Sequence, residues 1–74
     1  MATTTATVDW TRVIDNNRDA CVGFANGDLS LRKFIGSLSD TECRSQIYAA
    51  IERGVGARAG RTRCRKALRR RNLL

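Results

Sequence analysis

Arg58, Arg61, Arg65 and Arg69 recur along the C-terminal part of the chain at spacings of three and four, and Arg63, Lys66 and Arg70 keep the same rhythm beside them. On a helix the first set lines one face and the second the adjoining face. Together they form a cationic strip roughly 15–20 Å long at about 1.5 Å per residue. Twelve of the fourteen basic residues are Arg. A guanidinium forks onto phosphate with two hydrogen bonds and stacks on bases, whereas an ammonium acts as a point charge. The chemistry available to this pattern is the binding of a polyanion.

The charge layout sharpens that reading. The 74 residues carry fourteen bases and seven acids, a formal net charge of +7. All seven acids lie at or before Glu52, so residues 1–52, with five bases, carry −2. Residues 53–74 hold nine bases and no acid, a charge of +9. Solubility alone is served by mixed signs, and blocks of one sign are commonly interaction surfaces.

Other chemistries are poorly served. The chain contains no His, so the usual acid/base and Cys–His routes are missing. The carboxylates are scattered, mostly at predicted helix starts, where they act as caps or dipole partners. The glycine-rich "GVGARAG" at 54–60 lacks the GK[ST] ending of a phosphate loop. Cys21, Cys43 and Cys64 form no CxxC pair, which argues against a closed zinc site. Their odd number argues against a fully paired disulfide framework. They read as small buried apolar residues in a reducing compartment. The expectation is a non-catalytic protein with no metal and no cofactor.

The elements that must position the basic strip are helical. From Trp10 to Phe24 the apolar residues Trp10, Val13, Ile14, Ala20, Cys21 and Phe24 keep helical periodicity, interrupted at Asn17. A helix over 9–24 follows, capped by Asp9 or Thr7, with "ANGD" at 25–28 as stop and turn. Leu31, Phe34, Ile35 and Leu38 predict a short amphipathic helix over 29–38, capped by Asp28 or Ser30 and weakened by Gly36. "SDTE" at 39–42 has the capping-box pattern and opens a helix over 40–53 with Cys43, Ile47, Ala50 and Ile51 on one face. The three glycines of 53–60 predict a break. Beyond it, Cys64, Ala67 and Leu68 give a thin apolar stripe on a wide cationic helix that forms fully only when its charge is neutralised.

The fold class is therefore all-α, a small bundle of three to four short helices with a basic C-terminal helix. Trp10, Phe24, Phe34, Tyr48 and the aliphatic stripes supply the core, with Trp10 and Tyr48 the aromatics best placed for an edge. The organisation reads as a disordered lead over 1–7, a helical body over 8–53 and an Arg-rich nucleic-acid-binding segment over 54–74. A single core of this size supplies only about 3–5 kcal/mol, so a homodimer is expected, which also doubles the cationic surface.

For function, the preference for Arg fits RNA above DNA, because Arg-rich segments can order on RNA. No element dictates base readout, so recognition is of backbone and shape. The expected contacts are Arg53, Arg58, Arg61, Arg63, Arg65, Lys66, Arg69, Arg70 and Arg71, with Arg32, Lys33 and Arg44 extending the patch if the fold brings them round. Size and composition have the economy of a virus-encoded accessory protein that shields or packages double-stranded RNA. One alternative is a helix-turn-helix-like DNA binder built on Ala50, Gly54 and Val55. The following apolar positions of such a corner fall on Gly60 and Arg63, a poor match. Another is a basic adaptor for an acidic protein or an anionic membrane surface, for which only Leu68, Leu73 and Leu74 offer bulky apolar groups. No apolar run approaches the roughly 20 residues of a membrane span, and "MATTTATVDW" lacks the regions of a signal peptide. The expected location is intracellular, in cytoplasm or nucleus, and "RCRKALRRR" has the composition of a nuclear localisation signal.

Overall fold

Polar caps and left-handed turns divide the described residues into five helices: α1 Trp10–Asn16, α2 Arg18–Ala25, α3 Leu31–Ser37, α4 Thr41–Glu52 and α5 Ala57–Arg70. The structure is a computed structural model and describes residues 8–74. All helices and turns below belong to that range, and the expected disordered lead over 1–7 lies outside it.

The all-α class holds among the described residues, but five helices replace the expected three to four. The extra one arises at Asn17, where φ −147° and ψ 53° leave the helical region and split the predicted 9–24 helix. The Asn17 backbone N–H donates to Val13 O (2.9 Å), its Nδ2 donates to the same carbonyl (3.3 Å), and its Oδ1 accepts from Ser39 N (3.4 Å). An unbroken helix would carry this amide on its apolar stripe. A break lets the side chain bond to backbone instead, while Val13 and Ile14 before it, and Cys21 and Phe24 after it, all reach the core.

Three starts, those of α1, α3 and α4, follow side-chain caps. Asp9 accepts from Arg12 N (3.2 Å) and Ser30 from Lys33 N (3.2 Å). At α4 the cap is Asp40, one residue beyond the predicted Ser39, with Oδ1 accepting from Glu42 N (2.9 Å) and Cys43 N (3.4 Å). Glu42 does not reach back as a capping box requires. It pairs with Arg12 (Nη1 to Oε1, 2.8 Å).

Three helices end alike. Asp28 N donates to Gly23 O (2.8 Å), Val55 N to Ala50 O (3.0 Å) and Leu73 N to Leu68 O (2.9 Å). Each is the six-to-one bond of a Schellman motif, which needs a left-handed residue just before the donor. Gly27 (φ 89°), Gly54 (φ 99°) and Asn72 (φ 58°) supply it. The expected break in the glycine-rich stretch is confined to 53–56. Gly60 lies inside α5, where it is buried against the Phe24 ring.

All five helices contribute to one core, from Val13 and Ile14 of α1 to Cys64 and Leu68 of α5. Phe24 and Phe34 are fully buried and stack at 4.3 Å between centroids and 4° between planes. Trp10 continues the stack from Phe34, at 6.4 Å and 17°. Leu38, Cys43, Ile47, Cys64 and Leu68 complete it. Tyr48, expected in the core, is instead 54% exposed. It stands one position beyond Ile47, past the edge of the buried Cys43–Ile47–Ala50 stripe. The three thiols are buried and unpaired by disulfides.

Candidate nucleic-acid interface

α5 turns Gly60, Cys64 and Leu68 inward. Two flanks remain, and they are used differently. On the first, Arg61 donates from Nε to Phe24 O (3.1 Å) and from Nη2 to Leu29 O (3.0 Å), while Arg65 Nη2 donates to Ala25 O (3.0 Å). Phe24 and Ala25 close α2, and helix-end carbonyls have no partner within their own helix. Cations are also favoured there by the helix dipole. The Arg61 guanidinium lies 5.0 Å from the Phe24 ring centroid, so a cation–π contact finishes the aromatic stack. These two side chains hold α5 to α2. A third residue of the set, Arg71, donates to Thr11 O (3.3 Å) and forms an ion pair with Asp15, tying the end of α5 to α1.

The second flank faces a groove. Arg63, Lys66, Ala67, Arg70 and Arg71 line it from the α5 side, Arg53 from the end of α4, and Val8, Asp9, Trp10 and Thr11 from the start of α1. It encloses about 760 Å³. Arg58 and Arg69 are exposed elsewhere on α5. Among the described residues, Arg58, Arg63, Lys66, Arg69 and Arg70 are exposed and make no side-chain hydrogen bond or ion pair, unlike Arg61, Arg65 and Arg71. Arg32, Lys33 and Arg44 do not line the groove, and Arg44 Nε donates to Leu38 O (2.8 Å).

Four of the acids are occupied by the fold. Arg12 bridges Asp40 (2.8 Å) and Glu42 (2.8 Å), joining α1 to α4. The hydrogen bond from Arg12 holds the Asp40 carboxyl below the usual carboxylate range, and Asp40 in turn raises the guanidinium. Asp15 is taken by Arg71. Of the residues lining the groove, only Asp9 is acidic, and its carboxylate caps α1.

The cysteines make no site. Cys64 Sγ donates to Cys21 O (3.4 Å). Its hydrogen bond with Cys64, and then burial, push the Cys21 thiol up, and burial does the same to Cys43. Those two thiols stay protonated at neutral pH, while the hydrogen bond with Cys21 pulls the buried Cys64 thiol down. No group of three or more Cys, Asp or Glu among the described residues is arranged to hold a metal ion. No helix among them is long and apolar enough to cross a membrane.

Of the nine basic residues singled out from the sequence, Arg61, Arg65 and Arg71 are engaged by the fold. Arg58, Arg63, Lys66, Arg69 and Arg70 are exposed on α5, and Arg53 stands at the groove from the end of α4. A sequence signal for the division exists: Arg61, Cys64, Arg65 and Leu68 share the i, i+3, i+4, i+7 spacing of one stripe. Compared with known proteins, the chain matches no family model, no curated protein and no solved structure.

Proposed function

We propose that this chain is a non-catalytic RNA-binding protein that docks phosphate backbone along the outer side of α5. One observation carries the reading: Arg58, Arg63, Lys66, Arg69 and Arg70 stand exposed on one 14-residue helix with no acid in it, while Asp15, Asp40 and Glu42 are paired with Arg71 and Arg12. A field of one sign that the fold leaves open attracts a polyanion and speeds its capture. Rigid presentation supports recognition by shape. α5 is anchored at both ends, by Arg61 and Arg65 on α2 and by Arg71 on α1, so its cations need little ordering on binding.

Arg as the dominant cation favours RNA over DNA in this proposal, and a homodimer would place two such helices on one ligand. Shielding or packaging of RNA by a virus-encoded protein is the biological role we attach to it. The test is a salt titration of binding to double-stranded RNA, single-stranded RNA and DNA of matched length. Neutralising about five phosphates makes log K fall with log salt at a slope of about −4 to −5 on a duplex. A flat response overturns the proposal, and preference for duplex DNA moves the ligand to DNA. Sedimentation with and without RNA reads the dimer.

A further inference from the structure

The groove beside α5 has a feature that phosphate docking alone leaves unused. Trp10 lines it, half-buried, and is the outer member of a run of three nearly parallel rings, Trp10 on Phe34 and Phe34 on Phe24. The inner end of that run is closed by the Arg61 guanidinium over Phe24. The outer member, Trp10, lies in the groove that Arg63, Lys66 and Arg70 also line.

We infer that this groove holds an unpaired nucleotide, its base continuing the aromatic run on Trp10 and its phosphates on Arg63, Lys66 and Arg70. The inference rests on the RNA-binding reading and specifies which form of RNA fills this site. Three properties fit the occupant. About 760 Å³ is within the range of small-ligand sites and ample for one nucleotide. An aromatic face joined to a cationic wall is the arrangement used for single strands, because every base has a π-face and every linkage a charge. Asp9, on the α1 side, repels phosphate towards α5 and leaves an acceptor for base or ribose donors. A base inside a duplex cannot reach Trp10, since both its faces are covered by neighbours in the stack, and only the two terminal pairs of a long duplex keep one face open. A blunt duplex therefore meets the outer side of α5 and leaves the groove vacant, whereas a single strand or an overhang enters it.

Trp10 is the sole tryptophan, so its fluorescence reports the groove directly. The experiment titrates the full chain with three dye-labelled RNAs: a single strand, a duplex with a short single-stranded overhang, and a blunt duplex. Anisotropy of the label reads binding and Trp10 emission reads the groove. The expected result is binding of all three, with Trp10 quenched by the first two only. Equal quenching by the blunt duplex overturns the inference, and so does binding without any Trp10 response. In either case the RNA-binding reading survives, since anisotropy still rises. Absence of an anisotropy change with every RNA overturns both. As a second arm, Trp10→Leu keeps an apolar group on Phe34 and removes the stacking surface. It should weaken the single strand and the overhang by about 10-fold and leave the blunt duplex unchanged. A uniform effect on all three, in a variant whose melting curve shows it folded, counts against the groove.

Discussion

The two flanks of α5 have nearly the same composition and opposite employment. Arg61 and Arg65 donate to carbonyls at and just beyond the end of α2, while Arg63, Lys66 and Arg70 line a groove and donate to none. The difference teaches that a cationic run is not one functional unit. Where a guanidinium meets a helix-end carbonyl, it completes the fold. Where it makes no such bond, the same side chain remains available to a ligand. The Gly27 turn decides which flank meets the helix end, because its left-handed backbone closes α2 just short of Arg61.

The sharpest way to break the comparison is to remove the first flank. Arg61→Ala with Arg65→Ala deletes three side-chain bonds to backbone carbonyls in part-buried positions. With hydrogen bonds to charged donors at about 1.5–3 kcal/mol each before discounting for solvent, the loss is about 2–3 kcal/mol, most of the stability of a domain this size. Urea unfolding measures it. The folded fraction should keep most of its RNA affinity. A fully stable double variant with lost RNA binding would place these two residues with the ligand-binding set.

A milder perturbation stiffens α5 without touching its charge. A Cβ at Gly60 would meet Phe24 at 3.5 Å, an ordinary contact. Gly60→Ala should therefore stabilise the protein by about 0.5–1 kcal/mol through helix propensity, read as a rise in melting temperature, with RNA binding unchanged. A fall in stability would mean that α5 must sit closer to α2 than described.

The smallest effect concerns acid. Asp40 has its carboxyl depressed by Arg12, so its contribution is present above the unfolded carboxylate value near pH 4 and is lost as pH falls through its lower folded value. Stability should decline in that acid window, and Asp40→Asn should flatten the decline. The pair joins α1 to α4, with Arg12 exposed and the Asp40 side chain largely covered, and the effect on α5 and its ligand should be nil. An Asp40→Asn variant with altered RNA affinity at neutral pH would show that the α1–α4 side takes part in binding.

Much of this was legible in the sequence, and the failures share a cause. Periodicity located the helices because Phe24, Phe34, Ile47 and Leu68 fall on stripes that any packing must bury, and Ser30 and Asp9 cap where local chemistry demands. The break at Asn17 showed as a gap in the stripe, but its consequence depended on Ser39, 22 residues away. Asp40 displaced Ser39 as cap because Arg12 and Asn16, both distant in sequence, also bond to it. Tyr48 escaped the core because a two-turn stripe leaves its neighbours outside. The bonds of Arg61 and Arg65 to the Phe24, Ala25 and Leu29 carbonyls were not legible beyond the hint of their shared stripe with Cys64 and Leu68, because the acceptors are backbone atoms more than 30 residues away.

The central claim is that the outer side of α5 and the groove wall form the RNA contact. Its most direct test is a pair of binding curves against salt, for the native chain and for Arg63→Ala with Lys66→Ala and Arg70→Ala. The expected result is a loss on the order of 100-fold for single-stranded RNA near 0.1 M salt, a salt slope shallower by about 2, and a melting temperature unchanged or raised as repulsion is relieved. A folded triple variant with native affinity and native slope would contradict it.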